Sequence, residues 1–203
     1  MTSLATIVFK GKSLILIFVG LGVLLGLDRI VSNLSVAESQ DRALEMNIAK
    51  NVPIKVKLKK EKEASFKDLK NEKWLREFEL QVENTGDRPI YFLHLMVILP
   101  DTKDEGSYPL MFPLYFGRPE LGDIKTTASA SDVPIMPGEE YVFKIHPTQV
   151  PAWEANVKEG RFVQPHKVDI KFQILSFGDG TGFVGPDGES VPRIHQGSSK
   201  VVP

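Results

Sequence analysis

Ile90-Tyr91-Phe92-Leu93-His94-Leu95-Met96-Val97-Ile98-Leu99 is the stretch on which the fold class turns. It is apolar at every position except His94, and Pro89 and Pro100 bracket it. Proline interrupts a helix, so the run is better accommodated as a strand covered on both faces. Such a strand belongs at the centre of a sheet. The cluster Asn84-Thr85-Gly86-Asp87 just before it supplies a turn.

Outward from this run, the neighbours alternate. Phe78, Leu80 and Val82 point one way while Glu77, Glu79, Gln81 and Glu83 point the other, a half-buried strand over Arg76 to Glu83. Val52, Ile54, Val56 and Leu58 alternate with Pro53, Lys55, Lys57 and Lys59. Lysines on the outward positions suit an edge strand, where charge discourages pairing with another chain. Leu110 to Phe116 is apolar but broken by Pro113, which makes it an edge strand or a packed loop. After the turn Met136-Pro137-Gly138-Glu139, Tyr141, Phe143 and Ile145 face inward along another strand. Thr148 to Lys158 is the helix candidate: Thr148 caps it, Pro151 lies in its first turn, Trp153 and Val157 share a face, and Gly160 stops it.

Lys167 to Phe177 is a long strand with Val168, Ile170, Phe172 and Ile174 inward. Asp179-Gly180 has the residues of a tight hairpin turn, and Thr181 to Val184 returns as a short strand. The resulting expectation is an all-β, antiparallel immunoglobulin- or fibronectin-like β-sandwich over residues 52–185, with one short crossover helix. Residues 38–51 read as a spacer, partly helical around Asp41 to Ile48, and 186–203 as a flexible tail.

Ahead of this domain, Ser13 to Leu27 is a charge-free apolar core directly after Lys10 and Lys12. A basic start, an apolar middle and a polar exit form the layout of a signal peptide or membrane anchor over residues 1–37. The core is short of the roughly 20 residues that span a bilayer comfortably. Cleavage after Ala37, in Ser35-Val36-Ala37, and retention as an anchor both remain open. Either way, the domain is expected outside the cytoplasm. The chain has no cysteine, which leaves no thiol chemistry, no disulfide and no lipid-bearing cysteine. A cysteine-free exported domain points to a bacterial envelope, periplasmic, secreted or held at the inner membrane.

The formal net charge of -1 implies no bulk attraction to nucleic acid. Charge is uneven, however: Lys50 to Lys73 has a balance of +5 and Asp101 to Glu140 one of -5. These segments either attract one another or are two solvated faces.

No constellation for catalysis stands out. His94, His146, His166 and His195 are widely spaced, with no carboxylate or second histidine at ligand spacing. His94 reads as a core histidine, and Glu139-Glu140 as turn solvation. Asp179, Asp187 and Glu189 share a glycine-rich stretch that offers oxygens to calcium, although without EF-hand spacing; Asp-Gly turns account better for Asp179 and Asp187. No cofactor and no metal site is expected. Of the aromatics that might stack on a sugar, Tyr91, Phe92, Tyr108, Tyr115 and Trp153, most fall in core segments.

Phe177-Gly178-Asp179-Gly180-Thr181 resembles the signature of polycystic-kidney-disease repeats, which are immunoglobulin-like modules of cell-surface proteins and secreted hydrolases. Together with Glu83 to Ile90 and the run to Gly185, the exported part resembles an uncharacterised family of bacterial extracytoplasmic proteins with a leader and one β-rich domain. That resemblance implies no known activity. The expected function is a non-enzymatic envelope module that binds a protein or surface component. An accessory carbohydrate-binding or hydrolase-like domain, stabilised by calcium, is the alternative.

Overall fold

The computed structural model describes residues 41–103 and 106–192, and the leader expected at 1–37, the end of the tail and His195 lie outside them. The described chain is mostly β, built from nine strands in two sheets that are antiparallel apart from one pair. The strands are β1 (Ala43–Asn47), β2 (Ile54–Leu58), β3 (Glu79–Asn84), β4 (Phe92–Lys103), β5 (Pro109–Phe116), β6 (Glu140–Lys144), β7 (Lys167–Ser176), β8 (Gly182–Val184) and β9 (Glu189–Val191). One sheet runs β2-β3-β6. The other runs β5-β4-β7-β8-β9, with β1 also paired to β7. Among the described residues no helix is long and apolar enough to cross a membrane.

Both sheets bury their facing apolar residues in one cluster. Ile54, Leu80, Val82 and Phe143 come from the smaller sheet, and Leu93, Leu95, Val97, Val168, Ile170 and Phe172 from the larger. The expected alternation therefore holds for β2, for β3 and for β7 as far as Phe172, and β2 is an edge strand with Lys55 and Lys57 outward. Beyond Phe172 the pairing with β4 shifts register, so Leu175 is buried and Ile174, expected inward, is half-buried. β4 is central, between β5 and β7. It is not covered on both faces, though: Leu93, Leu95, Val97 and Leu99 are fully buried, while His94, Met96 and Ile98 are only half-buried. An apolar run reports hydrophobicity, not the presence of a second covering layer.

Four further readings need correction. The spacer contains β1, which pairs in parallel with β7 from Ala43↔Lys167 to Asn47↔Lys171, so the folded body begins before Val52. The alternation here is weak because β1 is exposed on one face and half-buried on the other. Helix is not confined to one segment: besides α3 (Val150–Lys158), the β2–β3 connection holds α1 (Glu63–Lys67) and α2 (Trp74–Glu77). They seat Phe66, Trp74 and Leu75 in the core. The hairpin after β7 is no two-residue turn; residues 177–181 form a loop closed by Phe177 N donating to Thr181 O at 3.0 Å. Finally, the tail includes β9, which pairs with β8 through a turn at Gly185 to Gly188.

Arg42, at the start of the body, is 1 % exposed. Its guanidinium lies 4.2 Å from the centre of the Trp74 ring, and Trp74 packs edge-on against Phe66, Phe78 and Trp153. Its Nε donates to Pro165 O at 3.1 Å, Nη2 to Gln164 Oε1 at 3.2 Å, and Nη1 to Phe66 O. Asp101 fixes the same corner by accepting from the backbone N–H groups of His166 and Lys167 at 3.1 and 3.0 Å.

Glu79 departs from its expected outward, solvated role. It is 9 % exposed and accepts from Lys59 Nζ at 2.8 Å and Lys144 Nζ at 3.0 Å, which ties all three strands of the smaller sheet. Those hydrogen bonds, Lys59 first and then Lys144, pull its pKa down to about 2. An unfolded glutamate titrates near ~4.3. A depressed folded value means the stabilisation is present above the unfolded pKa and is lost as pH falls towards 2. Glu79→Gln is therefore expected to flatten the melting-temperature curve between about pH 5 and 2. A variant that loses stability with acid as steeply as the parent would contradict that role.

Candidate functional site

The pentapeptide loop is the first place to look. Asp179 Oδ1 accepts from Thr181 N and Oγ1, and its Oδ2 pairs with Arg88 Nη2 at 2.5 Å. Arg88 also donates to Thr181 Oγ1 at 2.8 Å and lies 3.9 Å from the centre of the Phe177 ring. Burial, which would raise the Asp179 pKa, is outweighed by these hydrogen bonds and by Arg88, so the carboxyl is held below its usual range. Its oxygens are engaged with protein donors. Among the described residues, no group of three or more histidine, aspartate or glutamate side chains is placed to hold a metal ion.

This arrangement makes Asp179→Asn more than a neutral exchange of turn residues. It keeps the acceptor for Thr181 and removes the charge facing Arg88, so a loss of about 0.5–1 kcal/mol is expected. The loss should shrink in high salt, since both partners are solvent-accessible. Thermal melts at low and high ionic strength check this. A calcium-dependent stabilisation of the parent, absent in the variant, would overturn the ion-pair account.

The remaining candidates are scattered. His146 and His166 are exposed on separate segments, and Glu139 and Glu140 do not act as a pair. Glu139 Oε2 accepts from Met136 N at 2.9 Å, while Glu140 takes Lys57 at 3.2 Å and Gln81. The Lys57–Glu140 bridge is also where the basic and acidic segments meet. His94 stacks on Tyr115 with ring centres 4.4 Å apart, and burial lowers its pKa. Asp187 and Glu189 sit on either side of Gly188 in the β8–β9 turn and strand.

Two surfaces stand out instead. The first is the outer face of β4 and β5, where the register sets His94 beside Tyr115, Met96 beside Pro113, and Ile98 beside Met111. Met111 is 53 % and Tyr115 54 % exposed. The β4 half of this lane was read as covered and Leu110 to Phe116 as an edge strand or a packed loop, because an apolar sequence does not distinguish an inward face from an uncovered one. At one end of it Phe92 is buried, and Gly122 of the Pro119–Gly122 turn approaches its ring. The loop behind that turn is stapled by Arg118, whose Nε and Nη2 reach the two Asp132 oxygens at 3.1 Å each. Arg118 and the Ser129 donors hold Asp132 far below the usual carboxylate range.

The second is a cleft of about 470 Å³ between the edge strands β5 and β6 and the start of α3. Tyr115, Tyr141, Lys144, His146 and Arg76 line it, with Val150 and two prolines at the α3 end. Phe116 and Tyr141, with ring centres 4.7 Å apart, join the edges of the two sheets. Tyr141 was expected inward with Phe143 and Ile145. Those two are buried, but Tyr141 is 36 % exposed because it opens onto this cleft. Sequence gave no signal for the site, since it arises from two edges far apart in the chain. Comparison with protein-family models, curated proteins and solved structures finds no match.

Proposed function

We propose that residues 41–192 are a fibronectin-like β-sandwich working as an exported, non-enzymatic module that binds a protein or surface component of the bacterial envelope. The strand orders β2-β3-β6 and β5-β4-β7-β8 support the fold type, because they follow the A-B-E and C′-C-F-G sheets of such modules. Export is supported by the apolar run Ser13 to Leu27 behind two lysines. The binding reading is carried by the apolar lane of Met111, Tyr115, Met96 and Ile98, since exposed contiguous apolar surface is a mark of interaction sites.

A photo-reactive residue placed at Met111 in the native host tests this. Cross-links to one discrete envelope component, absent when the same residue replaces Lys55, are the expected result. Robust turnover of a hydrolase substrate, abolished by a single substitution, would overturn the non-enzymatic reading. Exposure of Tyr108 at 69 % and Tyr115 at 54 % favours a second reading, a glycan-stacking surface. Glycan-array binding lost on Tyr115→Ala would select it.

A further inference from the structure

We propose that the cleft between β5 and β6 takes an extended, acidic peptide segment of a partner protein, which adds as a strand to the free edge of β6. This rests on the reading of the domain as a binding module and specifies the chemistry of its partner.

The backbone of β6 is oriented for it. Asn84 N donates to Glu139 O at 3.0 Å, and Lys59 N donates to Glu79 O at 3.0 Å. Antiparallel strands alternate the side on which they bond. With the observed registers, Leu80, Val82 and Asn84 of β3 bond towards β6, while Glu79, Gln81 and Glu83 bond towards β2. On β6 it follows that Tyr141 and Phe143 turn their N–H and C=O groups to β3. Glu140, Val142 and Lys144 turn theirs outward, to the open edge.

Three other sheet edges are guarded: β2 carries Lys55 and Lys57, β5 is interrupted by Pro113, and β9 has only three residues. β1 is an edge strand as well, but none of its residues lines the cleft. β6 has five residues and no proline. A strand of that length pairs with about 17 Å of extended chain. The cleft volume lies within the range that accommodates side chains of a bound ligand. Tyr115 and Tyr141 supply ring surfaces for every second side chain of the incoming segment, as strand alternation requires.

Charge selects the peptide. Lys144, Arg76 and His146 are the titratable side chains with nitrogen at the lining, and no carboxylate lines it. From behind, Glu79 is shared by Lys59 and Lys144, and Glu154 pairs with Arg76 at 2.7 Å. Around the β6 edge Lys57, Lys59, Lys144 and Arg76 stand against Glu79, Glu140 and Glu154, a balance of one positive charge that glutamate or aspartate on the incoming strand would complement.

The test uses the full chain in mild detergent. The probes are fluorescein-labelled, end-capped nonapeptides that alternate valine with glutamate or valine with lysine. Anisotropy should show saturable binding of the glutamate peptide, at least about tenfold tighter than the lysine peptide. Amide exchange at Glu140, Val142 and Lys144 should slow in its presence. Val142→Pro removes an outward donor and leaves the β3 pairing intact, so binding should fall at least about tenfold with little change in melting temperature. Lys144→Gln, which touches no backbone bond and keeps a donor for Glu79, should narrow the preference for the glutamate peptide and guards against a Val142→Pro chain that fails to fold.

No saturable binding up to about 1 mM, equal affinity for the two peptides, or binding indifferent to Val142→Pro would overturn strand addition. Protection confined to the β4–β5 face would do the same. If cross-links through Met111 persist in those cases, the binding-module reading survives and only this inference falls.

Discussion

Arg42→Ala is expected to lower the unfolding free energy by about 3–5 kcal/mol, the largest effect of any single side chain outside the apolar core. Truncation leaves Pro165 O, Phe66 O and Gln164 Oε1 with one donor fewer inside the protein. It also opens a hole beside Trp74 and Phe66, whose rings face the guanidinium. Burial lowers the Arg42 pKa to about 10, against the opposing pull of Asp68, so the group is a cation at neutral pH and its contacts are charge-assisted. Arg42→Lys should recover only part of the loss, because one ammonium cannot reach three acceptors spread around a planar fork. Urea unfolding followed by tryptophan fluorescence measures this directly, since Trp74 and Trp153 belong to the same aromatic cluster. A loss below about 1 kcal/mol in Arg42→Ala would show that the guanidinium does not hold this corner.

Gly178→Ala should be the second large loss, about 2–4 kcal/mol, and Gly180→Ala, two residues away, about 1 kcal/mol. Both glycines are left-handed, with φ of +70° and +87°. They differ in what a methyl group would meet. At Gly178 the added carbon would lie 2.5 Å from Ala128 Cβ and 2.9 Å from the Tyr91 ring, whereas at Gly180 nothing lies within 4 Å. The difference between the two variants thus isolates close packing of the loop on its neighbours from backbone conformation. Equal losses in chemical denaturation would mean that residues 127–128 move aside freely.

These two predictions also mark where sequence stopped being informative. Alternation revealed β2, β3 and β7, because each has one buried face and a two-residue period records that asymmetry directly. The prolines around Ile90 to Leu99 gave the central strand. β1 was hidden, because its five residues contribute little to the core, and a buried arginine next to them has the appearance of surface. α1 and α2 were hidden for a similar reason: lysines and glutamates crowd Lys59 to Lys73, and the few residues that anchor it, Phe66, Trp74 and Leu75, have no regular period. In the loop at 177–181 a turn was legible from Asp179-Gly180, although not its five-residue form. The Arg88 partner was not, since it lies 91 residues away from Asp179. The cleft shares that difficulty, for it depends on which edges face one another.

One edge of β7 has a consequence for mechanics. Its first half is occupied by β1 and its second half by β8, so the first strand hangs on the same edge as the closing β8–β9 hairpin. A pulling force entering at Asp41 meets the Arg42 anchor and the β1–β7 pairing before it reaches the shared core. Directed along the strand axis, that force shears the five residue pairs of β1 together. Directed across it, the force peels them one at a time from Ala43. Resistance to tension would then depend on the direction of the load, with the first extension event confined to β1 and the two sheets still closed behind it.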